Sequence, residues 1–281
     1  YSSLDLLRGI SGYGVAICHF YAFLYSNIFF EYMSFLFVEF FFVLSGYVLY
    51  PQLMKVFENN KNLLNFYLRR WLRTIPLYVI CLLMISLIFG KIISLDFVKY
   101  LFFLQDLKPE FLEESYYPIV WSLSIEEFFY LLFPIVLIIC KKDLIKRLIV
   151  LFIALLVLKF FYVEYFDLKF MRTGTFIRFD AILLGFLSRY FFEKIEKNKI
   201  LFIFFSISLF LFLYNQEWFL ENKSENIVKL SLIILMQLIS ISALYFLISI
   251  EKLYVIKKIK IFSSLISKQT YSVYLTHMIF I

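Results

Sequence analysis

The 281 residues hold two imidazoles, His19 and His277, and both fall inside runs of apolar side chains. Imidazole has an unperturbed pKa of about 6.5, so it is the side chain best suited to take a proton from a hydroxyl near neutrality. Arg8 precedes His19 by eleven positions. On a helix that is three turns plus about 20°, so the two share a face about 16 Å apart along the axis. Taken singly, Arg8 reads equally as a membrane-surface anchor, and His19 reads as either a hydrogen-bonded core residue or a functional one. Other polar groups sit in comparable surroundings: Glu126 in Trp121-Ser-Leu-Ser-Ile-Glu-Glu127, Arg178 and Asp180 two apart, and Ser45-Gly46 midway along an apolar run. Arg69-Arg-Trp-Leu-Arg73 places three guanidinium forks at helical spacing. Arg69/Arg73 or Arg70/Arg73 share a face, suited either to phosphate or to lipid headgroups.

These residues must be positioned by membrane-spanning helices. The chain is 63% hydrophobic and 22% aromatic, with only 17% charged residues, against about 45–50% apolar and about 25% charged in a soluble domain. Too few polar residues remain to cover one soluble core, and disorder is excluded for the same reason. Spanning a bilayer takes about 20 mostly apolar residues per helix. Nine stretches approach this: 7–27, 34–54, 74–91, 119–140, 146–163, 173–192, 198–214, 227–249 and 264–281. The runs are continuously apolar rather than alternating, which predicts an all-α polytopic bundle and not a barrel. Residues 97–104 are too short to span and are expected at the interface. With no internal repeat and no Gly/Ser/Pro linker, residues 1–281 read as a single integral-membrane domain. The absence of an initial Met and the apolar run at Ile281 lead us to expect trimming at both ends.

The net charge of +7 raises nucleic acid as a partner, but its distribution argues otherwise. Segments 55–73, 141–147, 189–199 and 250–260 hold five, four, four and four Lys or Arg, while the intervening 28–33, 92–118, 164–172 and 215–226 hold none, two, two and one. That alternation places the N-terminus and the basic loops in the cytoplasm. The basic balance is then topology, and no nucleic-acid partner is expected. The cysteines Cys18, Cys81 and Cys140 are odd in number and lack metal-ligand spacing, so they read as small core residues.

A charge at mid-bilayer costs about 2.5–3.5 kcal/mol even on the lenient insertion scale, so each one asks for an explanation. Counting along alternating spans brings His19, Glu126 and His277 to a similar depth, with Arg178 and Asp180 slightly shallower. A cluster of two imidazoles, one or two carboxylates and an arginine is therefore expected, serving either a reaction or a structural ion-pair network. Glu127, one position round from Glu126, is expected to face elsewhere. Glu39 and Lys159 lie near predicted span ends and are expected to snorkel.

Taken together, the motifs resemble the acyltransferase family 3 membrane proteins. They are Ser3-Leu-Asp-Leu-Leu-Arg-Gly9 with His19, Phe41-Phe-Val-Leu-Ser-Gly-Tyr47, Arg69-Arg-Trp-Leu-Arg-Thr-Ile-Pro76, Trp121–Glu126, Arg178-Phe-Asp-Ala-Ile-Leu-Leu-Gly185 and Tyr271-Ser-Val-Tyr-Leu-Thr-His277. Each is weak alone; six in family order across nearly the whole chain are specific. The family has about ten spans, so the resemblance implies a further helix after Ile281. Members often add an extracytoplasmic SGNH esterase-like domain, which these residues lack, and this implies the standalone type.

The resemblance implies transfer of an acyl group, most often acetyl, from cytoplasmic acyl-CoA to a sugar hydroxyl of lipopolysaccharide, capsule or exopolysaccharide. Acetyl-CoA is then a donor substrate, and no permanent cofactor or metal is called for. The partners are the donor, a cell-surface or lipid-linked sugar and the bilayer, and the implied location is the bacterial inner membrane. On this reading Arg8, Arg69, Arg70 and Arg73 hold the donor's phosphates, and His19 takes the hydroxyl proton with Glu126 orienting the ring. Ser45, Arg178, Asp180 and His277 contact thioester or sugar. A secondary transporter with an intramembrane His/Glu proton relay is the rival reading, opposed by the absence of a pseudo-repeat; a non-catalytic scaffold is a third.

Overall fold

The computed structural model describes residues 2–140, 142–192, 225–251 and 258–279, with residue 256 and scattered positions between 207 and 222. It is all-helical, with no strand among the described residues. In chain order these residues form α1 (Ser2–Tyr25), α2 (Ile28–Glu58), α3 (Asn62–Ile88), α4 (Leu95–Leu101), α5 (Trp121–Ile139), α6 (Leu144–Tyr162), α7 (Leu168–Thr173), α8 (Phe179–Phe192), α9 (Asn226–Ser249) and α10 (Lys260–Thr276). Single 3-10 turns, Pro118–Val120 and His277–Ile279, open α5 and close α10. Among the described residues, four stretches are long and apolar enough to cross a membrane: Phe29–Glu58, Asn62–Ile88, Pro118–Ile139 and Asn226–Ser249. Helix is the form such sequences take, because it pairs every backbone N–H and C=O within one segment where no water can. The chain is an integral membrane protein. Of the other expected spans, 198–214 lies largely outside the described residues, and α1, α6, α8 and α10 are helical but shorter or more polar.

Three expected boundaries differ in ways that move named residues: the helix holding the predicted span 74–91 begins at Asn62, so Arg69, Arg70 and Arg73 lie within it. The predicted span 34–54 is the middle of a 31-residue helix beginning at Ile28, so Glu39 lies in the helix interior and is fully buried rather than snorkelling. The predicted span 173–192 is broken. Helix α7 is capped by Asp167, whose Oδ1 accepts the Phe170 N–H at 2.7 Å, and ends at Gly174. A turn through residue 178 then precedes α8, leaving Arg178 and Asp180 at a helix start.

The chain divides into two compact units: residues 1–47 with 184–281, and residues 48–183. In the first, α1 and α10 pack in parallel. Ser2 meets Ser263 (Oγ to Oγ, 2.9 Å), Arg8 donates to Ser267 Oγ at 3.1 Å, and Tyr13 donates to Gln269 Oε1 at 2.9 Å, so the pairs advance together along both helices. Small residues permit the approach: a Cβ at Gly9 would enter Ile266, and one at Gly12 would enter Thr270. Helix α2 meets α8 more closely still, since a Cβ at Gly185 would collide with the Val43 carbonyl. Two of the sequence motifs, 41–47 and 178–185, thus touch backbone to side-chain-free backbone.

In the second unit, Tyr78 of α3 donates to the Tyr100 carbonyl at 2.7 Å and stacks on Phe103 at 4.6 Å. Phe129 of α5 meets Phe179 edge-on at 5.6 Å, which makes α5 a neighbour of the start of α8.

At the start of α1 the Glu251 carboxylate accepts the Ser2 and Ser3 N–H groups, each at 2.8 Å. Burial pushes its pKa up, but hydrogen bonds from Ser3 and Ser2 outweigh that and hold it below its ordinary 4.5. A lowered carboxyl contributes stability that is present above its unfolded value and lost as pH falls through its folded one. The thermal midpoint is therefore expected to fall on acidification below about 4.5. Glu251→Gln is expected to lower the midpoint at neutral pH by the equivalent of about 1 kcal/mol and to flatten that acid limb, measured by melting in detergent over a pH series.

Candidate functional site

Parallel packing of α1 on α10 brings the two imidazoles together. His19 Nδ1 lies 2.9 Å from His277 Nε2, with ring centroids 5.2 Å apart and planes tilted by 32°. His277 is buried and His19 half-buried. The other nitrogen of His277, Nδ1, lies 2.8 Å from the Tyr274 carbonyl and 3.3 Å from that of Val273. Toward the N-terminal end of α1, Arg8 donates to Asp5 Oδ1 and Ser267 Oγ, both at 3.1 Å. Its side chain stays about one-third exposed, at 32%. Ser45 is half-buried on α2. The expected meeting of His19 and His277 is thus present within one unit, while Glu126, Arg178 and Asp180 belong to the other and are described there.

In that second unit the two glutamates of α5 have distinct surroundings. Tyr130 donates to Glu126 Oε2 at 2.9 Å, one turn along the same helix, and Glu126 is half-buried. Glu127 is the buried one. Thr74 of α3 donates to its Oε1 at 2.8 Å, and its Oε2 has no hydrogen-bond partner among the described residues. Nor do the three arginines of α3 share one environment. Arg69 and Arg73 lie on the exposed face, four residues apart, whereas Arg70 is buried. Its Nη2 donates to Gln52 Oε1 at 2.7 Å, and its guanidinium sits 5.6 Å from the Tyr130 ring centroid. Helical spacing left two pairings open, and burial selects Arg69 with Arg73.

Arg178 and Asp180 are both fully buried. Asp180 accepts from Lys159 of α6, whose ammonium is itself buried. Lys159 therefore does not snorkel: a carboxylate at the start of α8 neutralises it in place, which removes the reason to reach for water. The turn bearing Arg178 is held by Thr175, whose N–H donates to the Asp106 carbonyl at 3.0 Å. In the connecting loop, burial pushes the Asp106 carboxyl up to about 6, against the opposing pull of Thr173 and Lys169. Among the described residues no cluster of three His, Cys, Asp or Glu side chains has the arrangement of a metal site.

Three contributors escaped the sequence reading: Glu127, the Lys159 partner of Asp180, and Gln52 beneath Arg70. The first two were visible as intramembrane ionisable residues. Their facing was not, because α5 and α6 are apolar all round and hydrophobic periodicity then carries no azimuth. Gln52 had no signal beyond being an amide inside an apolar run.

A family model described as an acyltransferase domain matches residues 1–281. The O-acetyltransferase OatA of Staphylococcus aureus strain NCTC 8325 is 33% identical over 151 residues, covering 48% of this chain and 24% of that protein. A second chain, from strain COL of the same species and provisionally named an O-acetyltransferase, is 29% identical over 206 residues, covering 65% of this chain and 33% of its own. The aligned chain thus spans about a quarter to a third of the length of these curated relatives. No solved structure matches.

Breaking a buried ion pair from one side leaves a bare charge and costs about 3–5 kcal/mol, while replacing both partners by apolar groups is often close to neutral. Asp180→Asn is therefore expected to lower the unfolding midpoint sharply. Lys159→Met combined with Asp180→Leu is expected to recover much of the loss, as read from a double-mutant cycle of melts in detergent.

Proposed function

We propose a function from one premise: this chain belongs to the acyltransferase 3 family. It is a membrane O-acyltransferase that moves an acyl group, acetyl by preference, from acyl-CoA to a carbohydrate hydroxyl outside the cytoplasm, on lipopolysaccharide, capsule or exopolysaccharide. The names of its relatives as O-acetyltransferases support the acetyl choice. Residues 1–281 act as one integral-membrane domain of a bacterial inner membrane. The N-terminus is cytoplasmic on this reading, which the alternation of basic segments supports.

The observation that carries this reading is the imidazole pair, His19 against His277 at 2.9 Å. Esterification of a sugar needs a group that removes the hydroxyl proton as the oxygen attacks, and His19 serves as that base. The sugar O–H proton passes to His19, and the oxygen forms a bond to the thioester carbonyl carbon. The carbon–sulfur bond then breaks, and the departing thiolate takes the proton back from His19. The products are an O-acyl sugar and free CoA thiol, and the enzyme returns unchanged.

The phosphates of CoA call for arginine forks. Arg8, one-third exposed, and the exposed pair Arg69 and Arg73 are the donor contacts. Arg70 supports that pair from the buried side through Gln52. Ser45 remains a contact to the reacting groups, and Glu126, half-buried, is assigned to the same contacts rather than to the ring of His19. Arg178, held at the head of α8, and Asp180, beside Lys159, shape the acceptor's surroundings.

Two outcomes are expected. With labelled acetyl-CoA, protein in lipid vesicles and cell-envelope glycans as acceptor, His19→Ala is expected to lose at least about 100-fold in kcat at matched folded protein. Full turnover by this variant removes His19 as the base. Arg69→Gln with Arg73→Gln is expected to raise KM for acetyl-CoA about tenfold or more with an unchanged melting midpoint, the signature of lost ground-state binding. An unchanged KM would make them lipid anchors.

A further inference from the structure

We infer that His277 is a positioning residue for His19: it fixes which nitrogen of His19 carries the proton and so which one is the base. This rests on the reading of His19 given above. Tyr274 lies in the last turn of α10. The last carbonyls of a helix lack intrahelical partners and accept from whatever donor lies near. Tyr274 O is such a carbonyl, and His277 Nδ1 lies 2.8 Å from it. A carbonyl only accepts, so His277 Nδ1 carries the hydrogen and, in the neutral ring, His277 Nε2 carries the lone pair. That lone pair faces His19 Nδ1 at 2.9 Å. For this contact to be a hydrogen bond, His19 Nδ1 must be the N–H and His19 Nε2 the basic nitrogen.

One backbone carbonyl thus determines the protonation pattern of two side chains from helices 258 positions apart in sequence. It also determines what happens during transfer. When His19 Nε2 takes the hydroxyl proton, its Nδ1–H is already directed at an acceptor, so the imidazolium forms without any ring having to turn. His277 stays neutral and keeps its own proton on Tyr274 O. The role parallels that of the orienting carboxylate in a Ser-His-Asp triad, with a neutral acceptor in place of the charge. Packing around His277 supplies the rigidity this requires. His277 is buried, its ring packs 5.9 Å from that of Tyr274, and Tyr274 in turn meets Phe41 of α2 edge-on at 6.0 Å.

The test uses the full chain in lipid, with its two native histidines labelled with nitrogen-15 and any affinity tag removed. Each imidazole is assigned by the loss of its signals in His19→Ala or His277→Gln. Expected in wild type are protonated Nδ1 and unprotonated Nε2 on both rings, with a coupling from His19 Nδ1 to His277 Nε2 across the hydrogen bond. His277→Leu removes the acceptor; the His19 signal is expected to spread over both tautomers, and kcat to fall about 100-fold with KM for acetyl-CoA within about twofold. His277→Gln places a carbonyl oxygen near the former Nε2 and is expected to restore kcat to within about tenfold of wild type. A His19 ring protonated on Nε2 instead, wild-type kcat in His277→Leu, or a Gln variant no better than the Leu variant would each overturn the positioning role. Loss in His19→Ala alongside wild-type kcat in His277→Leu overturns only that role. Full turnover in His19→Ala overturns the base and the positioning role together.

Discussion

A bilayer offers no water to a polar group, and that absence organises this protein. Every charge and hydroxyl carried into the helices has to be answered from inside the chain. Lys159 is answered by Asp180, Arg70 by Gln52, Glu127 by Thr74, and His19 by His277. Arg189 of α8 donates to Tyr47 of α2 at 2.6 Å and lies over its ring at 4.8 Å. None of these pairs is an adornment on a finished fold, since an unmet partner at such a place would cost more than most single contacts return.

Meeting that demand requires helices that approach closely, and small residues make the approach. Gly9 and Gly12 let α1 lie against α10, and Gly185 lets α8 rest on the Val43 carbonyl of α2. The consequence for chemistry is a short, packed lever between Tyr274 and His19. A looser bundle would place the rings out of hydrogen-bond reach and leave the tautomer of His19 to chance. Dispersion and steric fit therefore set the contact between the two rings through helix geometry.

The two units show how unevenly a site can be legible in a sequence. His19 and His277 were expected at one level because their positions along outward-running spans agree, and parallel packing makes that agreement a contact. Glu126 and Glu127 are adjacent, so depth along the span does not separate them. In an apolar helix every face looks buried, so the choice of Glu127 as the buried carboxyl was not written in any spacing. Lys159 near a predicted span end had the composition of a snorkelling lysine, and only a carboxylate on another helix made burial tolerable. The break before α8 was likewise hidden, because Gly174 and the Asp167 cap interrupt an otherwise apolar stretch by a single turn.

By itself the sequence determined the solvent, the helical form, the family and the identity of the few groups able to do chemistry. Those follow from composition, run length and ordered motifs, which are properties of the chain one segment at a time. Which polar group answers which, and which arginines face outward, were decided by tertiary structure alone. Those depend on the rotation and register of one helix against another. Where all faces are apolar, hydrophobicity leaves rotation undetermined, and close packing with hydrogen-bond pairing selects it.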